Sequence, residues 1–312
     1  VAEIVLGFLV FAGVLIATGA GQFFIDLANA GFGKYRGGPA KVSIVASAFF
    51  GSLSGSIFSN IAGTGSITIP TMKKVGYPPH YAAAIEACAS TGGVVMPPVM
   101  GAIAFVMAIT IGVDYATIMV AAILPSLLFY FGLLLQVDAY AARKGLVGMT
   151  QDKLPSARET AAIILPIAFV VSALTITGVT GSMTSGLVAL GGDNVYLIIA
   201  LGVLACFIMG MAGLAIVAYI FLAVTLAPAI VEIGGLNVVA VHFFIVYYAM
   251  LSVITPPVGA AAFLAATIAG AKPMQTSFTA MRLGVVIYFV PLFFLFQPAL
   301  VLQGDLTPLI YV

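Results

Sequence analysis

Charged side chains are scarce in this chain, and their scarcity limits what the chain can be. Only 7% of its 312 residues are Asp, Glu, Lys or Arg and 62% are hydrophobic, whereas a soluble domain carries about 25% charged residues. This composition excludes an ordinary soluble domain and predicts a polytopic membrane protein with the lipid bilayer as a partner. The net charge is only +1, so the chain lacks the basic surface that nucleic-acid binding requires.

Cysteines and motifs of known catalytic chemistry are also rare or missing. The two cysteines, Cys88 and Cys206, lie in apolar segments and match neither a disulfide framework nor a metal-ligand spacing. The sequence contains no phosphate-binding loop with Lys, no His-Glu metal motif and no context for a serine triad. We therefore expect no enzymatic activity, no ATP-driven pumping and no cofactor.

Uninterrupted apolar runs are few once glycine and proline breaks are respected, given that a spanning helix needs about 20 residues. The predicted full spans are 3–20, 116–137, 160–177 and 277–300. Because the chain starts at Val1 rather than Met, we expect further helices before it. The shorter or broken apolar runs predict two re-entrant helical hairpins, 42–70 and 196–230, and two interrupted helices, 81–112 and 238–270.

An internal repeat relates the two halves of the chain. Pro97-Pro98-Val99 recurs 159 residues later as Pro256-Pro257-Val258, and Gly51 recurs as Gly210 at the same shift. After a slip of one residue, the segment GAIAFVMAITIG lies on GAAAFLAATIAG. The predicted units are a first repeat (1–140), a cytoplasmic connection (141–159), a second repeat (160–302) and a tail (303–312).

The distribution of charge indicates that the two repeats have opposite orientations. If span 3–20 runs inward and span 160–177 runs outward, all 11 Lys and Arg residues fall on the cytoplasmic side, as the positive-inside rule requires. The first hairpin then enters from the cytoplasm and the second from the far side. The sequence thus predicts an all-α fold built from an inverted repeat.

Interrupted helices in inverted repeats predict a binding site near the middle of the membrane. Irregular backbone is tolerated at that depth only where it is buried in protein or lines a wet cavity. The prolines are expected in the first turn of each outgoing half-helix. The residues expected to expose oxygen atoms at the breaks are Ser90, Thr91, Gly92, Gly93 and Thr255. Proline-kinked helices without a ligand are the alternative.

A second polar concentration lies in the first predicted hairpin, where Gly, Ser, Thr or Asn occupy 11 of the 16 positions from Gly51 to Ser66. Close helix packing through small residues would explain part of it, but the density of hydroxyls around Asn60 favours a hairpin that lines a ligand or ion. Glu86 is the one acidic residue expected within a span. It is either a cation or proton site or a solvated carboxylate near the interface, and His80 and His242 are expected to be interfacial hydrogen-bonding residues.

Residues 51–105 closely resemble the large membrane subunit of tripartite ATP-independent periplasmic (TRAP) transporters, particularly the fused permeases of the TAXI branch. The resemblance continues through AYIFLAVTLAPAIVEIGG, ITPPVGAAAFLAATIAGAKPMQTSFTAMRLG and FQPALVLQG. It implies a multi-pass protein of a bacterial or archaeal cytoplasmic membrane that imports a small organic anion, a carboxylate, by an elevator mechanism. It also implies a periplasmic substrate-binding protein and small-subunit-like membrane helices, fused or separate, as partners, and Na+ or alternatively H+ as the coupling ion.

The resemblance also implies which residues line the site. These are Ser54, Gly55 and Ser56 at the first tip with Asn60 and Thr64 behind it, Ser90 to Pro98 with Pro97 and Pro98 at the first break, Thr255, Pro256 and Pro257 at the second break, and Gly210, Met211 and Gly213 at the second tip. Glu86 is the candidate for ion coupling. The chain departs from the family pattern in three places. Val253 stands where the family commonly has Asp, and the residues after Gly210-Met211 lack the polar residues and proline that the family usually has there. The connection between Asp138 and Thr160 is shorter than in related permeases, which often have two more spans there.

Two rival functions remain open on the sequence. A stand-alone elevator carrier of the divalent-anion/sodium symporter type would share hairpins and repeats but need no binding protein. A channel or a structural membrane subunit is the other rival; the sequence shows no ring of charge and no filter-like repeat of carbonyl groups.

Overall fold

A computed structural model describes residues 20–148, 194–211 and 215–304, and all the regular secondary structure in these ranges is helical. Predicted span 160–177 and nearly all of span 3–20 lie outside the described residues, as do most of the predicted connection and tail. The helices are α1 (Ala20–Phe32), α2 (Gly38–Ser54), α3 (Ile57–Asn60), α4 (Ser66–Lys74), α5 (Pro79–Gly93), α6 (Ala102–Ile111), α7 (Tyr115–Lys144), α8 (Val195–Met211), α9 (Ala215–Thr225), α10 (Ala227–Gly234), α11 (Val238–Leu251), α12 (Ala260–Ala269), α13 (Pro273–Leu283) and α14 (Val285–Phe296). A π-helical turn, Ile61–Gly65, joins α3 to α4, and a 3-10 turn, Pro298–Val301, follows α14.

The first predicted hairpin is present as two helical arms joined at Gly55. Gly55 ends α2 with a left-handed backbone (φ 60), which glycine adopts without steric cost, and donates its N–H to the Gly51 carbonyl. Ser56 then caps α3 by accepting a hydrogen bond from the Ser59 N–H. The π-helical turn and α4 follow and pack back against α2. Re-entrant placement of these arms in a membrane stays a prediction.

Both predicted interruptions are irregular segments of eight residues between two helices, 94–101 after α5 and 252–259 after α11. The peptide bond between the two prolines is cis in each segment. The prolines lie inside these segments, so the prediction that they occupy the first turn of each outgoing helix is wrong. The outgoing helices begin later because Met100 (φ 63) and Gly259 (φ 31) have left-handed backbones that cannot continue a right-handed helix.

One described helix, α7, is long and apolar enough to cross a membrane by itself, and it contains predicted span 116–137. The span expected at 277–300 falls on α13 and α14, which are together long and apolar enough to cross a membrane but meet at a bend of 43°. Gly284 lies at this bend, and a Cβ atom there would approach Ile254 Cδ1 to 2.9 Å. Glycine is a poor helix former, so a helix is easily interrupted at this position.

Helix α5 forms the centre of the packed core. Every residue from Ala82 to Val95 is buried, and α5 packs against α2, α12 and α13. Large apolar side chains instead project outward from α7 and α14: Leu127, Leu128, Phe131, Leu135, Phe289 and Phe293. An outward apolar surface of this kind fits contact with lipid.

Candidate functional site

The first hairpin tip and the first helix break are in direct contact. A Cβ atom on Gly51 would lie 2.7 Å from the Gly93 Cα atom, so these two backbones can approach only because both residues are glycine. The Met100 N–H donates to the Ser52 carbonyl at 2.9 Å, and the Gly101 N–H donates to the Val94 carbonyl at 2.7 Å. The irregular segment 94–101 is thereby folded over the tip.

The tip carries a polar group that the protein itself does not satisfy. Ser54 is fully buried, and its hydroxyl has no hydrogen-bond partner among the described residues. The Gly55 carbonyl lies next to the break, 3.1 Å from the position of a Cβ atom on Gly101. Buried hydroxyls are nearly always hydrogen-bonded, so an unpaired one marks a place where a ligand can bond.

Other predicted break residues serve packing. The Thr91 hydroxyl donates to the Ala87 carbonyl of its own helix at 2.7 Å. Gly92 makes room for α7, since a Cβ atom there would lie 2.3 Å from the Phe129 ring. Pro97 and Pro98 lie in the irregular segment, and the Pro98 carbonyl accepts a hydrogen bond from the Tyr115 hydroxyl at 3.1 Å.

Glu86 lies in the protein interior, away from any solvated surface. Its side chain is 0% exposed. Hydroxyl groups surround both of its carboxylate oxygens. Oε1 lies near Ser47 (2.8 Å), Thr64 (2.6 Å) and Ser90 (3.3 Å), and Oε2 near Ser43 (2.6 Å) and Thr68 (2.5 Å). The solvated alternative for Glu86 is therefore wrong, and these residues together form a Glu86 cluster.

Helical spacing brings the cluster together. Ser43 and Ser47 are four residues apart on α2, and such pairs share one helix face. The pairs Thr64 with Thr68, and Glu86 with Ser90, have the same spacing. Gly65 leaves room for the carboxylate, since a Cβ atom there would lie 2.9 Å from Glu86 Cγ. Sequence reasoning missed Ser43, Ser47 and Thr68, although their spacing opposite a lone acid was an available signal.

Asn60 and Thr64, predicted behind the tip, and Ser90, predicted at the break, belong to this cluster. The Asn60 side-chain amide donates to the Ser47 carbonyl at 2.7 Å. Its carboxamide oxygen lies 3.0 Å from the Thr64 hydroxyl. Ser90 contacts Glu86 rather than the irregular segment. Asn60 also borders the tip–break contact, since a Cβ atom on Gly51 would lie 2.6 Å, and one on Gly93 3.2 Å, from its Nδ2 atom.

The second half of the chain has a close contact at the positions equivalent to Gly51 and Gly93, with a serine in place of the second glycine. A Cβ atom on Gly210 would lie 2.2 Å from the Ser252 hydroxyl, and these residues are each 159 positions after Gly51 and Gly93. The Thr255 hydroxyl donates to the Leu251 carbonyl at 2.7 Å and contacts the Tyr288 hydroxyl. Pro256 and Pro257 lie in the second irregular segment. Gly213 and the Met211 side chain lie outside the described residues.

The two histidines predicted at the membrane interface, His80 and His242, differ in burial. His242 is buried, and its Nδ1 atom lies 2.8 Å from the Tyr219 hydroxyl, so it is a hydrogen-bonded interior residue. His80 is half-buried at the start of α5. Across the described ranges, no group of three or more His, Cys, Asp or Glu side chains is placed to hold a metal ion.

Apolar helices interrupted by irregular backbone, with polar groups gathered between them, fit an all-helical membrane protein. Comparison with known families identifies which one. The sequence profile of the "Tripartite ATP-independent periplasmic transporter, DctM component" family matches residues 1–172 and 160–309. The chain belongs to this family, and the TRAP resemblance is confirmed.

Several curated proteins are similar to this chain. The isethionate TRAP transporter permease protein of Oleidesulfovibrio alaskensis is 25% identical over 94% of this chain and 56% of its own length. The C4-dicarboxylate TRAP transporter large permease protein of Pseudomonas aeruginosa is 35% identical over 43% and 30%, respectively. The sialic acid TRAP transporter permease protein of Haemophilus influenzae is 27% identical over 44% and 22%. The chain therefore spans about half or less of the length of these relatives.

Proposed function

We propose that this chain forms part of a secondary active permease that imports a small organic anion across a cytoplasmic membrane. The observation that carries the proposal is the contact between the first tip and the first break. It combines an unpaired buried hydroxyl on Ser54 with the irregular backbone of 94–101. A site of this construction can offer both hydroxyl and backbone groups to a ligand inside an apolar protein.

The names of the relatives support the substrate class. Isethionate, C4-dicarboxylates and sialic acid are the substrates in the names of the three relatives, and each is a small organic acid that is ionised near neutral pH. We infer a substrate of the same class, a carboxylate first of all. Na+ is the proposed coupling ion, with H+ as the alternative.

The remaining features of the proposal follow family membership. TRAP large permeases act with a periplasmic binding protein and a small membrane subunit, which supports the same partners for the protein that contains this chain. Multi-pass topology, inverted repeats, an elevator movement and the TAXI branch are part of the proposal. The alternative is a stand-alone carrier that takes its substrate directly from the periplasm.

Uptake into proteoliposomes tests this function. The full-length permease would be reconstituted with and without its binding protein, under an imposed Na+ or proton gradient, with carboxylates and isethionate as trial substrates. We expect saturable uptake that needs both the binding protein and a gradient. Gradient-driven uptake without the binding protein would instead favour the stand-alone carrier, and current without saturable uptake would indicate a channel.

A further inference from the structure

We propose that the C-terminal end of α7, together with the turn before α2, binds an anionic phospholipid. The lipid phosphate would be held by Arg143 on α7 and by Arg36 on the turn, and the acyl chains would lie on the exposed apolar face of α7. The inference goes beyond the proposed function, because a lipid can bind here whether or not a substrate is transported.

Helix α7 is longer than the hydrocarbon core of a bilayer requires. It has 30 residues, and about 20 are enough to cross that core. Predicted span 116–137 leaves Asp138 to Lys144 beyond it, which is about 10 Å of helix. This length covers the headgroup layer of the membrane, where the lipid phosphates lie. The basic end of α7 is therefore at the depth of a phosphate.

The outward face of α7 leads from apolar side chains to a basic one. Leu128, Phe131 and Leu135 are exposed and are spaced by three and four residues, which places them on one face of the helix. Arg143 follows Leu135 by eight residues, about 2.2 turns, and so lies close to the same face. Ala139 lies between them and is exposed and small. An acyl chain on this face would therefore end next to a guanidinium group.

The turn before α2 brings a second guanidinium group to this end of α7. The Gly37 N–H donates to the Leu146 carbonyl at 3.3 Å, so the turn lies against the residues that follow α7. Arg36 on the turn and Lys41 on α2 both bond to Asp138, and the Arg36 side chain is still 52% exposed. A guanidinium has five N–H donors. Arg36 can therefore bond to Asp138 and to a phosphate at the same time.

The charge of this surface favours an anionic lipid over a zwitterionic one. Lys34 on the turn and Lys144 at the end of α7 are exposed as well. Asp138 is the one acidic residue in the described part of these two segments. Tyr35 and Val147 are exposed beside the cations, and such mixtures of apolar and basic side chains are typical of membrane interfaces. Basic surfaces at headgroup depth attract anionic lipids.

Thermal unfolding of the purified full-length permease in detergent tests the proposal without any substrate. Unfolding temperature would be measured against the concentration of added phosphatidylglycerol. Phosphatidylcholine with the same acyl chains is the lipid without net charge, and glycerol phosphate is the headgroup without chains. A ligand that binds only the folded state raises this temperature as its concentration rises. We expect phosphatidylglycerol to act at lower concentration than phosphatidylcholine, and glycerol phosphate to have no effect over the same range.

Two neighbouring basic residues locate the response. Arg143→Gln removes the charge next to the apolar face and should raise the phosphatidylglycerol concentration needed for half of the stabilisation by about fivefold. Lys144→Gln is the matched control. It removes an equal charge, but Lys144 follows Leu135 by nine residues, about 2.5 turns, and so lies on the opposite side of the helix. This variant should respond like the wild type.

A third variant tests the apolar face. Leu135→Gln keeps all the charges and should weaken the effects of phosphatidylglycerol and phosphatidylcholine alike, because the acyl chains lose an apolar contact. Leu135, Arg143 and Lys144 are all exposed, so these substitutions should leave the fold intact. If Arg143→Gln does not fold, Leu135→Gln decides the matter.

Four results would overturn the proposal. Equal stabilisation by the two lipids would mean that charge is not recognised, and equal stabilisation by glycerol phosphate would indicate a free phosphate as the ligand. Equal losses in the Arg143 and Lys144 variants would indicate diffuse attraction without a site, and a wild-type response of Leu135→Gln would remove the acyl chains from α7. Because none of these measurements uses uptake, the lipid site can be supported or rejected even if the proposed transport function fails.

Discussion

Ser54 and Asn60 lie on the same hairpin and both are buried, yet their side chains differ in hydrogen bonding. The Ser54 hydroxyl is buried without a partner among the described residues, whereas the Asn60 amide is held by the Ser47 carbonyl. A buried side chain that is hydrogen-bonded within the protein stabilises the fold. A side chain with a missing bond is available to a ligand, so Ser54 is the sharper candidate for substrate or ion contact.

Replacement of Ser54 by Ala should reduce transport while preserving the fold. Removing an unpaired buried hydroxyl leaves stability unchanged or raises it, because such a group costs about 1–3 kcal/mol. Uptake should fall at least about tenfold, the loss of one good hydrogen bond to a charged ligand. Uptake and thermal unfolding would be measured together. Ser66→Ala, which removes a hydroxyl bonded to the Gly63 carbonyl, is the matched control; normal uptake by the Ser54 variant would exclude this hydroxyl from the site.

Asp138 permits a prediction about pH. It lies on α7 just beyond predicted span 116–137, and hydrogen bonds from Arg36 and Lys41 hold the pKa of its carboxyl below the ordinary value. A lowered folded-state pKa means that the carboxylate stabilises the fold above its unfolded pKa and loses this effect as pH falls through the folded pKa. Asp138→Asn should therefore be less stable than the wild type at pH 7, and the difference should vanish on acidification. The measurement is the unfolding temperature of the variant and the wild type at pH 7 and at an acidic pH below the folded-state pKa. An equal difference between the two proteins at the two pH values would contradict this account.

At the scale of helices, the contact between Gly51 and Gly93 fixes the first hairpin on α5. Alanine at Gly93 would place its Cβ atom 2.7 Å from the Gly51 Cα and 3.0 Å from the Ser47 carbonyl oxygen, so backbone must move. We expect Gly93→Ala to destabilise the protein by about 1–3 kcal/mol and to reduce uptake, because the tip separates from the break. Gly31→Ala on α1, where nothing lies within 4 Å, is the control and should be neutral. Equal unfolding temperatures for the two variants would show that the helices can separate without cost.

The elements that could be predicted from sequence are those with local causes. The eight-residue breaks follow from paired Pro-Pro-Val segments, and the turn at Gly55 follows from a glycine between two polar residues. The bend at Gly284 was missed because an isolated glycine within an apolar run is tolerated in a helix and does not by itself indicate a bend. Ser43, Ser47 and Thr68 of the Glu86 cluster were missed because they meet Glu86 from segments that are distant from it in the chain.

The two halves of the molecule have corresponding helix bounds. Helix α12 (Ala260–Ala269) lies 158 residues after α6 (Ala102–Ile111) at both ends, and each is followed by a glycine with positive φ, Gly270 and Gly112. The halves also touch, since Lys73 on α4 donates to the Ala269 carbonyl at 2.6 Å. This agreement strengthens the predicted repeat. Its inversion across a membrane stays a prediction that requires measurement.

Cysteine labelling in whole cells tests the inversion directly. Lys74 and Glu232 are exposed and occupy nearly equivalent positions, at the ends of α4 and α10. The native Cys88 and Cys206 are buried and should not react. Inverted repeats place the two positions on opposite sides of the membrane, so an impermeant thiol reagent should label Glu232→Cys in intact cells, once it has passed any outer barrier, and Lys74→Cys only after the cytoplasmic membrane is opened. Labelling of both variants from one side would mean that the repeats run parallel, and a midplane site formed by two opposed hairpins would then have no structural basis.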